Sequence, residues 1–136
     1  MSLGQAITTC FRKYADFKGR ASRPEYWWFL LSFVLAYLGI SIIGAGLGDD
    51  AAGGLLLLLI LSYLIPLLAA AVRRLHDTGR SGWYYFVGVI PLVGGFILLF
   101  LLAGMGESGS NRYGSPPGGP ALPALQVPPP PPPVGL

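Results

Sequence analysis

Charge, cysteine and histidine are all scarce in this chain. Asp, Glu, Lys and Arg make up only 11% of its 136 residues, against roughly a quarter in soluble domains, which is too little to clothe a water-facing surface of ordinary size. Cys10 is the one cysteine and His76 the one histidine, so a single chain can form neither an internal disulfide nor a cysteine-based zinc site. Cys10 reads as a small apolar residue on a helix face. A metal centre needs three or four ligands, and beside His76 the carboxylates on offer are Asp77 and Glu25, with Asp49, Asp50 and Glu107 expected on the opposite face. The nearest serine to the His76-Asp77 pair is Ser81, which no Gly-x-Ser-x-Gly elbow surrounds. No catalytic, cofactor-binding or metal-binding residues are therefore expected, and the chain is not expected to be an enzyme.

Hydrophobic residues, at 53%, and a mean hydropathy of +0.60 make lipid the expected solvent. Three apolar runs, at about 26–47, 51–72 and 83–105, are each long enough to cross roughly 30 Å of hydrocarbon as a helix. The fold class expected is an all-α membrane protein: three transmembrane helices within residues 22–105, preceded by an amphipathic helix within 1–20. Leu3, Ile7, Cys10, Tyr14 and Phe17 recur at spacings of four and three, a stripe suited to the lipid interface or to docking on the protein's own spans. Ser22-Arg23-Pro24-Glu25 fits a capping box that starts the first span. Tyr26 to Phe29 and Trp83 to Phe86 are aromatic belts at headgroup level. Pro66 falls inside the second span, which Gly79 can stop as a left-handed residue. Pro91 and Gly94-Gly95 fall in the middle of the third, leaving straight, broken and re-entrant forms open. Residues 106–136 turn to Gly, Ser and Pro, with Pro128 to Pro133 continuous, and read as a disordered tail with polyproline-II stretches.

The nine Lys and Arg residues are unevenly placed. Arg12, Lys13, Lys18, Arg20 and Arg23 precede the first run, and Arg73, Arg74 and Arg80 separate the second from the third. Basic residues flanking apolar runs are orientation signals and contacts for anionic lipid, not the footprint of a nucleic-acid-binding module. The N-terminus and the 73–82 loop are expected in the cytoplasm, Asp49 and Asp50 outside, and three full spans would carry the tail outside as well. The start of span one and the end of span two then share one interface, so Glu25 should lie near Arg73 or Arg74, and Asp77 near Arg20 or Arg23.

Phe17-Lys18-Gly19-Arg20-Ala21-Ser22-Arg23-Pro24-Glu25-Tyr26-Trp27-Trp28-Phe29 and Val72-Arg73-Arg74-Leu75-His76-Asp77-Thr78-Gly79-Arg80-Ser81-Gly82-Trp83 resemble the YhaH-like small bacterial inner-membrane proteins, domain-of-unknown-function family 805. The stretch Gly109-Ser110-Asn111-Arg112-Tyr113-Gly114 resembles the family's ending, with Ser115 where a proline is expected. The resemblance implies a multi-pass protein of the bacterial inner membrane and imports no activity. The candidate site is a basic and aromatic collar of Arg20, Arg23, Glu25, Trp27, Arg73, Arg74, His76, Asp77, Arg80 and Trp83, with Asn111, Tyr113 and Gly114 as the C-terminal motif. Its expected role is non-enzymatic binding of anionic lipid headgroups or of a partner, either another membrane protein or a second copy of the chain. An oligomeric channel or transporter is the main alternative and a membrane-surface enzyme the weaker one; no cofactor and no nucleic acid are expected.

Overall fold

In the computed structural model, residues 1–119 are described. The elements in order are α1 (Leu3–Arg12), α2 (Arg23–Leu47), α3 (Asp49–Asp77), a 3-10 helix (Gly82–Val89) and α4 (Gly94–Ala103). At 1.5 Å per residue, the 25 residues of α2 and the 29 of α3 span about 37 and 43 Å. Both are long and apolar enough to cross a membrane. They form an antiparallel hairpin closed by Gly48 at φ 94°. From its tip to its base, Gly44 lies against Ala52, Ser32 Oγ is 3.3 Å from Tyr63 Oη, and Glu25 meets Arg73.

The starts of α1 and α2 have local causes. Ser22 Oγ accepts from the Glu25 amide at 3.2 Å and Pro24 occupies the first turn, but only half of the expected capping box forms, because the Glu25 carboxylate turns to Arg73 instead. A full capping box lies earlier, between Ser2 and Gln5. The amphipathic segment is helical only to Arg12, and the Ile7 and Cys10 part of its stripe docks on the protein itself while Tyr14 and Phe17 stay exposed. Cys10 is buried, and Phe11 packs edge-on against Phe29 and Tyr63, centroids 5.4 and 5.1 Å away.

The third run departs from the expected single span. It makes two short helices, about 16 and 15 Å long, joined by a turn at residues 90–93. The Val93 amide donates to the Pro91 carbonyl at 2.8 Å around Leu92 at φ 69°, a tight γ-turn in a conformation rare for a non-glycine residue. Leu92, at the tip, is 92% exposed. Gly88 faces Leu98, and a Cβ on Gly94 would strike the Val87 carbonyl, so the two short helices lie back to back. The run therefore leaves the base of the α2–α3 hairpin and returns to it: Gly104 packs near Thr78, and the Glu107 amide donates to the Asp77 carbonyl at 2.8 Å. The physical reason is Pro91, which cannot continue a hydrogen-bonded helix, followed by glycines that allow close return.

The segment read as the start of a disordered tail is folded up to residue 119. Asn111 and Gly114 exchange backbone hydrogen bonds at 3.1 and 3.0 Å in a turn laid over the base of the hairpin. Pro128 to Pro133, and with them the expected polyproline-II stretches, lie outside the described residues.

Candidate functional site

Three arginines at the base of the hairpin are buried, and each gathers a different piece of chain. Arg73, 0% exposed, reaches outward from α3. Its Nη2 pairs with Glu25 Oε1 at 2.9 Å, and its Nη1 donates to the carbonyls of Asp16 at 2.7 Å and Lys13 at 3.3 Å, fixing the link between α1 and α2. Arg74, also 0% exposed, donates from Nε to the Leu102 carbonyl at 2.9 Å and from Nη2 to the Gly104 carbonyl, holding the return of the third run. Arg20 donates from Nε to Asp77 Oδ1 at 2.9 Å and from Nη1 to the Gly109 carbonyl at 2.6 Å. It also reaches the carbonyls of Gly114, at 3.3 Å, and Glu107, clamping the C-terminal turn.

Asp77 is the anionic centre of this knot, with Arg20 on one carboxylate oxygen and Arg74 on the other. Both expected pairings across the two motifs are therefore present, Glu25 with Arg73 and Asp77 with Arg20. Planar guanidinium groups suit this work because their donors fan out in a fixed fork. Arg73 Nε is the one buried side-chain polar atom without a hydrogen-bond partner among the described residues.

His76 lies in the last turn of α3, beyond the 51–72 run. Its Nδ1 sits 3.0 Å from the Gly19 carbonyl, which places the ring proton on Nδ1 and makes Nε2 the acceptor in the neutral form. Burial lowers its pKa from 6.5, opposed by the Gly19 contact and aided by Arg112. The ring stacks on Tyr113 with centroids 3.7 Å apart and planes 2° from parallel, and its backbone carbonyl accepts from Asn111 Nδ2 at 2.9 Å. All three members of the C-terminal motif, Asn111, Tyr113 and Gly114, thus join the collar.

The remaining collar residues behave differently. Arg23 is exposed, with Nε on the Gly104 carbonyl at 3.1 Å. Arg80 is half-buried and Trp83 is 78% exposed, whereas Trp27 packs edge-on against Tyr26. Glu107, expected on the opposite face, belongs to the collar: its carboxylate accepts from Asn111 Nδ2 at 2.7 Å and lies over Gly79, whose φ of 73° needs a glycine. The signal for Glu107 was the re-entrant turn at Pro91. Burial and the neighbouring Glu25 push the Cys10 thiol up to about 12, far from thiolate chemistry at neutral pH. Among the described residues no three His, Cys, Asp or Glu side chains gather as a metal-ligand set.

The two sequence blocks and the C-terminal motif that make this knot fall inside residues 14–115, which match the family model described as a protein of unknown function, DUF805. The chain belongs to the DUF805 family. It is 42% identical over 113 residues to inner membrane protein YhaI of Escherichia coli K12, covering 83% of this chain and 95% of that protein. Inner membrane protein YhaH of the same strain is 35% identical over 109 residues, with 78% and 90% covered. The uncharacterised protein YiiR is 31% identical over 125 residues, with 73% and 84% covered. No solved structure matches.

Proposed function

We propose that this DUF805 protein is an integral protein of the bacterial inner membrane that works without catalysis, binding anionic lipid headgroups through the exposed rim of its collar. The N-terminus, the 106–119 segment and the collar face the cytoplasm, and α2 and α3 are its two full spans, with the third run entering the membrane from the cytoplasmic side and returning. The relatives named as inner membrane proteins support the location. The charge distribution supports the orientation, since Asp49 and Asp50 are the charges at the far end of the hairpin and all nine basic residues lie toward its base.

The observation that carries the binding role is the division of those nine. Among the described residues only Arg20, Arg73 and Arg74 pair with carboxylates, and they are consumed inside the fold. Arg12, Lys18, Arg23 and Arg112 are exposed, with Lys13 and Arg80 half-buried at the rim. An anionic leaflet attracts such cations at about 1 kcal/mol each. The absence of Asp, Glu, Lys, Arg and His from 26–47, 51–72 and 83–105 favours binding over transport. The commitment of His76 to Gly19 and Tyr113 favours binding over catalysis.

The test is lipid retention by the purified full chain in nanodiscs of mixed phosphatidylglycerol and phosphatidylcholine. Enrichment of phosphatidylglycerol that fades with rising salt is expected. Equal retention of both lipids at low salt would overturn the reading.

A further inference from the structure

Beside the knot lies a second feature that the ion pairs do not use. Between the last turns of α3 and the 3-10 helix is a cleft of about 470 Å³, within the size range of small-molecule sites. Phe17, Val72 and Phe86 supply apolar walls, while His76, Ser81 and Tyr113 bring polar atoms to the same space. In the proposed orientation the apolar walls stand at headgroup depth, beside the exposed ring of Trp83. Among the described residues, no carboxylate lines the cleft. Three cations flank its lining in the chain: Lys18 follows Phe17, Arg80 precedes Ser81, and Arg112 precedes Tyr113, with its guanidinium carbon 4.9 Å from the centroid of that ring. None of the three is in an ion pair among the described residues.

The polar atoms also differ in kind. Neutral His76 offers an acceptor at Nε2. The Ser81 oxygen already accepts the Trp83 amide at 3.4 Å, leaving its proton to donate. An apolar slot whose lining carries both an acceptor and a donor, with no carboxylate among its described lining residues and three cations outside any ion pair next to that lining in the sequence, matches an amphiphile whose head carries negative charge and hydroxyl groups. We infer that this cleft holds one anionic glycerophospholipid, its acyl chain against Phe17, Val72 and Phe86 and its phosphate among Lys18, Arg80 and Arg112. The inference rests on the proposed lipid-binding reading and narrows it from a charged rim to one site of fixed stoichiometry.

The experiment is native mass spectrometry of the full chain released from phosphatidylglycerol or phosphatidylcholine nanodiscs, with Val72→Trp to fill the cleft and the triple variant Lys18→Gln, Arg80→Gln, Arg112→Gln to strip its rim. Wild type is expected to keep one phosphatidylglycerol and no phosphatidylcholine. Val72→Trp should lose that lipid while general phosphatidylglycerol enrichment persists, and the triple variant should bind on the order of a hundredfold more weakly. Unchanged retention by Val72→Trp would overturn the cleft while leaving the charged-rim reading intact; loss of all preference for phosphatidylglycerol in wild type would overturn both. Because Val72→Trp can disturb packing, a second measurement places the photocrosslinker benzoyl-phenylalanine at Phe86. A covalent phosphatidylglycerol adduct supports the site, and a crosslink to residues 120–136 or to a second chain, with no lipid adduct, overturns it.

Discussion

Replacing Asp77 by Asn removes one negative charge from between two buried guanidinium groups while keeping the side chain's size. Arg20 and Arg74 lose their shared counter-ion, with side chains 1% and 0% exposed, and an amide nitrogen now faces one of them. Breaking a buried pair by removing one partner typically costs about 3–5 kcal/mol, because the remaining charge is stranded away from water. Asp49→Asn is the matched control: Asp49 is exposed in the first turn of α3, where a carboxylate contributes about 0.3–1 kcal/mol through the helix dipole. Thermal unfolding of the detergent-solubilised chain should separate the two variants by several kcal/mol. Trypsin supplies the local readout, since Arg20 holds the 107–114 turn and Arg112 within it is exposed. Cleavage after Arg112 should accelerate in Asp77→Asn at temperatures where both variants are folded. If Asp77→Asn unfolds within about 1 kcal/mol of Asp49→Asn and is cleaved no faster than wild type, the three-arginine knot does not hold the collar together.

Other perturbations probe the same base. His76 has a lowered folded pKa, so its contribution to stability is fully present above about 6.5 and is lost as pH falls through the lowered value. Unfolding midpoints should drop across that acidic window, and His76→Gln should flatten the drop. A Cβ at Gly106 would collide with the Asp77 carboxylate, which its two arginines hold in place. Gly106→Ala should therefore destabilise by about 1–3 kcal/mol, whereas Gly109→Ala, with open space around it, should not.

How much of this was readable in advance differs from element to element. The apolar runs 26–47 and 51–72 announced α2 and α3 because a long uncharged stretch has one economical use in lipid, and the charge pairs Glu25–Arg73 and Arg20–Asp77 followed once both motifs were placed on one side. The fate of the third run was not fixed by hydrophobicity, which is the same for a span and for a hairpin. Pro91, Gly94 and Gly95 carried the only signal, and they left straight, broken and re-entrant forms open. That ambiguity hid Glu107 and the folded 106–114 segment. The amphipathic stripe of α1 likewise did not say whether lipid or Phe29 and Tyr63 would cover it. The roles of the arginines were the least legible, since sequence cannot tell a buried guanidinium that binds carbonyls from an exposed one that meets headgroups.

The side of the membrane on which residue 108 lies decides most directly whether the collar, the re-entrant run and the C-terminal turn form one cytoplasmic face. In a Cys10→Ala background, single cysteines at Asp50 and Ser108 are labelled with an impermeant thiol reagent in right-side-out and in inverted membrane vesicles. The expected result is labelling of position 50 only from outside and of position 108 only from the cytoplasmic side. Labelling of both positions from outside would mean that the third run crosses the membrane, and would contradict the fold and the proposed site together.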